Sequence, residues 1–188
     1  MPSKIFFTAD LHLGHKNAIK YCNRPFKTVE EMNEVLIKNW NKIVSDKDNI
    51  YVVGDFALMG PKKTEEVLKN LKGRKFLIRD NHDKSLKESM ALKYFEWIKD
   101  YYLLKVQDSG AIQKIVLFHY ALRTWDSAHS GSWSLYGHSH GNLKDDSTSL
   151  SLDVGVDCHN FRPISYEEVK EIMPKKNWKP TNQPEIIS

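Results

Sequence analysis

Cysteine is nearly missing from this chain of 188 residues, where only Cys22 and Cys158 occur. Their separation matches neither a redox pair nor a thiolate metal site, which points to a reduced protein with two small packing residues. No apolar run approaches the roughly 20 residues that a membrane-spanning helix needs. Met1-Pro2-Ser3-Lys4 leads straight into an apolar run without a cationic-then-apolar leader, so a cytoplasmic location is expected. Blocks of one charge are also lacking. No Lys/Arg block exceeds two or three residues and the net charge is +4, too diffuse to indicate nucleic-acid binding but suited to small anionic substrates. Repeats, low-complexity blocks and interior linkers are absent, so residues 1–188 read as one domain large enough for a substantial core. With 40% hydrophobic and 28% charged residues the composition is that of a globular chain, not a disordered one.

What is present is an ordered series of apolar runs. Residues 4–9, 50–53 and 75–78 read as strands, separated by helical patterns. The segment between the first strand and Thr28 reads as loop. Thr28 with Glu31 three residues later forms a capping-box pattern, and Met32, Val35, Leu36, Trp40 and Ile43 make an apolar stripe at helical spacing. A second helix is expected over 64–71, with Gly73 just past its end. This strand–helix alternation implies a parallel core in the first half. In the second half, strands at 101–106, 112–118, 134–136 and 150–156 are joined by loops and turns, which predicts antiparallel pairing and a sheet that is mixed or split in two. Ser165 and Glu168 open a last helix, stopped by Pro174, and residues 174–188 read as a surface tail.

Five short clusters stand at the ends of these strands: Asp10-Leu11-His12, Gly54-Asp55, Asn81-His82-Asp83, Phe118-His119 and Gly137-His138-Ser139-His140. Strand ends of α/β sheets are where ligands collect. Carboxylate oxygen, amide oxygen and imidazole nitrogen without thiolate suit hard or borderline divalent cations. Asp55, with two oxygens at a strand tip, suits a bridge between two ions. The set reads as a two-metal hydrolytic site.

In their order, Asp-x-His, Gly-Asp, Asn-His-Asp, His and Gly-His-x-His resemble the calcineurin-like metallophosphoesterase superfamily over residues 5–140. The stretch from Val154-Gly155-Val156-Asp157 to Arg162-Pro163 is similar to its small bacterial and phage branch. The resemblance implies an α/β fold with two mixed β-sheets packed as a sandwich flanked by helices. It implies one ion held by Asp10, His12, Asp55 and His140, and a second held by Asp55, Asn81, His119 and His138. The two ions are expected to be Mn²⁺, with Fe, Zn, Ni or Co permitted by the same ligands. The implied activity is phosphoester hydrolysis, more a phosphodiesterase than a monoesterase, on a nucleotide-like or other phosphoester. A hydroxide shared by the ions attacks phosphorus in line, and His82 assists the leaving oxygen. The alternatives are a phosphomonoesterase or nucleotidase, or a metal-binding scaffold with little or no catalysis.

One position departs from the pattern. The residue before Asn81-His82 is glycine in that superfamily and Asp80 here. His15, Arg24, Asp80 and Arg123 are the candidate substrate contacts, and Trp125 and Trp133 are candidates for a wall against a planar group.

Overall fold

Residues 50–53 and 76–78 are apolar at every position, so these strands can be buried on both faces. The computed structural model, which describes residues 2–80 and 93–180, shows how. Strands β1 (Ile5–Thr8), β2 (Asn49–Val53), β3 (Arg74–Ile78) and β4 (Phe95–Lys99) run parallel in one sheet. The short β9 (Ile164–Ser165) is added antiparallel to β1, giving the order β4-β3-β2-β1-β9. Side chains alternate between the faces of this sheet. Phe6, Ile50, Val52 and Leu77 join one core with Met32, Leu36 and Trp40 of helix α2 (Val29–Ile43) and Leu68 of helix α3 (Pro61–Asn70). Their neighbours Phe7, Tyr51, Val53, Phe76 and Ile78 face the other way, into a core shared with the second sheet. Burying each such side chain is worth about 1.5–3 kcal/mol.

The second sheet has the order β5-β6-β7-β8, from Tyr102–Asp108, Ala111–Leu117, Trp133–Tyr136 and Ser151–Asp153. Helix α4 (Tyr166–Ile172) packs Val169 into the core between the sheets. Its capping box is formed as expected, with Ser165 and Glu168 each bonding the other's backbone N–H. Thr28 likewise accepts from the Glu31 N–H at the start of α2. The fold is therefore α/β with two mixed sheets and flanking helices, as expected.

Three expectations need correction. Within the second sheet only β5 and β6 pair antiparallel; β6–β7 and β7–β8 are parallel, because the loops between them are long enough to carry the chain back. The first loop contains a helix, α1 (Lys16–Tyr21), too short and too poorly capped to show in the sequence pattern. Strand β4 extends the first sheet beyond the three strands expected. Of the expected surface tail, residues 174–180 are mostly exposed, with Trp178 packed against the inter-sheet core and the Asn177 N–H donating to Ser147 O at 2.6 Å; residues 181–188 lie outside the described ones. Both cysteines are free thiols, as expected. No helix among the described residues is long and apolar enough to cross a membrane.

The parallel arrangement positions the site. The chain leaving β1 pairs in parallel with the chain leaving β8, through the Ala9–Gly155 bridge and two hydrogen bonds of 3.1 Å. The carboxyl ends of β1–β3 and of β6–β8 thus open onto one place.

Candidate metal centre

Five of the expected ligands leave their strands through left-handed turns: Asp10 at φ 57°, His12 at 50°, Asp55 at 54°, His138 at 69° and His140 at 49°. Each such turn costs a non-glycine residue on the order of 1–3 kcal/mol, and such strain gathers at functional sites. Here it aims the side chains inward. Ligand atoms of Asp10, His12, Asp55 and His140 lie within 4.8 Å of one another, and so do those of Asp55, His119 and His138. These are the two expected groups, with Asp55 in both. Asn81 and His82 lie outside the described residues.

Asp10 is buried at the base of the first group. The His138 N–H donates to its Oδ1 at 2.9 Å, while the buried Oδ2 has no hydrogen-bond partner among the described residues. Glycines make room for it, since a Cβ at Gly155 would come within 2.6 Å of Oδ2. Burial pushes its carboxyl up to about 7, against the pull of His140.

His12 Nε2 stands 3.3 Å from Asp55 Oδ2 and 3.3 Å from His140 Nε2. The two imidazoles face each other through these nitrogens, their rings stacked 5.1 Å apart. Burial pushes His12 down to about 3, with His140 adding to it. Burial opposes charge on His140 as well, yet the Asp157 carboxylate, 2.7 Å from its Nδ1, lifts it to about 10. That contact keeps a proton on Nδ1 and leaves Nε2 to face the cluster.

The second group is built around His119, which is almost fully buried. Its Nδ1–H donates to Val53 O at 2.8 Å, so the Nε2 lone pair points toward the carboxylates. Burial lowers its pKa, consistent with a neutral ring. Nε2 is 3.6 Å from Asp55 Oδ2. Gly54 (φ +86°) is required behind it, because a Cβ there would fall 2.1 Å from Nδ1. His138 is exposed at the mouth.

These residues fit divalent cations. Donors about 2.0–2.2 Å from one ion, at tetrahedral or octahedral angles, lie about 3.0–3.5 Å apart. The facing atoms here are 3.3–3.6 Å apart, buried or half-buried, and of mixed oxygen and nitrogen type.

The expected substrate contacts divide. His15 sits beside His12, ring centroids 5.4 Å apart, and lines a small cleft with His12, Asp55 and Leu58. Asp80 is buried and points inward, its Oδ2 3.4 Å from His119 Nε2. Arg123 is exposed on the loop after β6. Arg24 is not available to a substrate. Its side chain is fully buried, and its guanidinium donates to both Asp157 oxygens at 2.7 Å and to the backbone oxygens of Leu11 and Asp10. Trp133 lies in the inter-sheet core against Tyr166, and Trp125 packs on the same core, so neither forms the wall expected of it.

Two residues were missed by the sequence reading. Asp157 joins Arg24 to His140; the signal was there, since it too is an aspartate after an apolar strand. Tyr120 packs its ring 4.7 Å from His138 and 5.0 Å from His119, and only its place next to His119 hinted at that.

No protein-family model matches the sequence. The chain is similar to the crystal structure of the protein of unknown function AQ665 from Aquifex aeolicus, with a TM-score of 0.71 and 25% identity over 90% of this chain and 99% of that one. It is 24% identical over 196 residues to the Gene 66 protein of Mycobacterium phage D29, covering 91% of this chain and 96% of that protein. To the uncharacterized protein MJ1445 of Methanocaldococcus jannaschii it is 35% identical over 179 residues, 92% of each chain. At that identity and coverage, the chain belongs to the family of MJ1445.

Proposed function

We propose that the protein is a two-metal phosphoester hydrolase of the calcineurin-like metallophosphoesterase fold, acting on diesters in preference to monoesters. The observation that carries this reading is the Asp55 carboxylate, whose Oδ2 faces His12 Nε2 at 3.3 Å and His119 Nε2 at 3.6 Å, a bridge between two ligand groups. Asp10, His12, Asp55 and His140 would hold one ion, and Asp55, His119 and His138, with Asn81, the other. Bound Mn²⁺ or a similar ion would make a water nucleophile available near neutral pH and offset charge on the phosphoryl oxygens.

The chain's own residues supply the rest. Arg24 and Asp157 hold His140 and the Asp10–Leu11 backbone in place. His138 at the open mouth and His15 beside His12 border the entry of a phosphoester. His82, following the superfamily pattern, protonates or stabilises the leaving oxygen. The open mouth, where His138 is exposed, leaves room for the second ester group of a diester.

The test is a panel of aryl phosphodiesters, aryl phosphomonoesters and cyclic nucleotides assayed with Mn²⁺, alongside metal analysis. Diester turnover is expected, abolished by a chelator and reduced to background in Asp55→Asn. Two bound ions with no turnover of any ester would overturn the hydrolase in favour of a metal-binding scaffold.

A further inference from the structure

His119 is held between two carboxylates, and only one of them belongs to the ligand pattern. Asp55 Oδ2 stands 3.6 Å from His119 Nε2, and Asp80 Oδ2 stands closer, at 3.4 Å. The side chain of Asp80 is fully buried, as is nearly all of His119. His119 commits its Nδ1–H to Val53 O, so Nε2 presents a lone pair to these oxygens. His119 Nε2 therefore faces one oxygen of each carboxylate inside the protein. The 3.4 Å separation also matches that of two donors sharing one ion.

We propose that Asp80 is itself a ligand of the second ion, giving that site two carboxylates, Asp55 and Asp80, beside its imidazoles. The inference rests on the two-metal reading above. Where the superfamily pattern has glycine, this chain adds a charged oxygen donor. Cation affinity rises with the number of charged ligands, so the extra carboxylate tightens the second site and biases it toward hard, oxygen-preferring ions such as Mn²⁺.

The test is calorimetric titration of the metal-stripped protein with MnCl₂, with metal analysis and low-temperature electron paramagnetic resonance. Wild type is expected to take up two Mn²⁺ per chain and to show a spin-coupled pair. Asp80→Asn keeps shape and hydrogen-bonding reach but loses the charge. It is expected to bind one ion with the wild-type Kd and the second at least tenfold more weakly, with isolated Mn²⁺ replacing the coupled signal. Asp80→Gly should do the same, and serves if the asparagine variant does not fold. Unchanged binding of both ions in the variants would overturn the role of Asp80 while leaving the two-metal reading intact, because a merely packing or orienting side chain would not move the second Kd. No Mn²⁺ uptake by wild type would overturn both.

Discussion

The two ligand groups share Asp55 but are supported in different ways. Behind the first stands a layer of charged hydrogen bonds: Arg24 clamps Asp157, Asp157 holds His140, and Arg24 also bonds the backbone oxygens of Asp10 and Leu11. Among the described residues, the second is supported by the His119–Val53 bond, a glycine behind the ring, and the inward carboxylate of Asp80, while His138 is exposed. Buried outer partners hold ligands in place and raise metal affinity. On the two-metal proposal, this difference would place metal retention in the first group and substrate access on the side of the second.

The division is tested most severely by His82→Ala. It should lower turnover by roughly 10²–10⁴-fold while leaving two ions bound. A rate equal to wild type on the preferred ester would remove His82 from the chemistry.

Asp157→Asn should act on the other side. It removes the carboxylate that orients His140, so the first ion should bind about 10–100-fold more weakly and the second as before. Equal weakening of both ions would mean that the groups are not independently supported. Arg24→Ala should instead cost stability, about 3–5 kcal/mol, since it leaves the Asp157 charge poorly compensated at a buried site. A chemical denaturation midpoint within error of wild type would contradict this.

The smallest effect is a pH dependence confined to the first group. His140 is raised to about 10 in the folded chain and titrates near the ordinary 6.5 when unfolded. Its stabilising proton is fully present below about 6.5 and lost as pH rises through about 10. Asp10, raised to about 7, and His12, lowered to about 3, pull in opposite directions between about 4 and 6.5, so the clean window lies above pH 7. Metal-stripped protein should therefore have a lower Tm at about pH 9 than at about pH 7. First-site metal binding should strengthen over the same range, because the proton that His140 holds must leave for the ion to bind. His119, neutral through burial, adds no such dependence to the second site. Identical melting at the two pH values in chelator would break the contrast.

Local chemistry was legible in the sequence wherever it depends on neighbouring residues. The capping pairs Thr28–Glu31 and Ser165–Glu168 formed as read, as did the stripe of Met32, Leu36 and Trp40. Parallel pairing among β6, β7 and β8 was not, because turn residues between strands suggest hairpins whether or not the chain doubles back through a longer loop. Arg24 was misjudged for the same reason: its partner Asp157 lies 133 residues away, and a lone arginine in a loop gives no sign of it.

By itself, then, the sequence determined which donor atoms this protein carries and that they fall at strand ends, since apolar runs and the residues that stop them are properties of short segments. Only the tertiary structure decided how those donors divide. The parallel registers bring the carboxyl ends of both sheets together. Left-handed turns at Asp10, His12, Asp55, His138 and His140 aim the side chains inward. Burial turns Arg24 into scaffold and Asp80 toward the site, because a charged group taken out of water must find its partner across the fold.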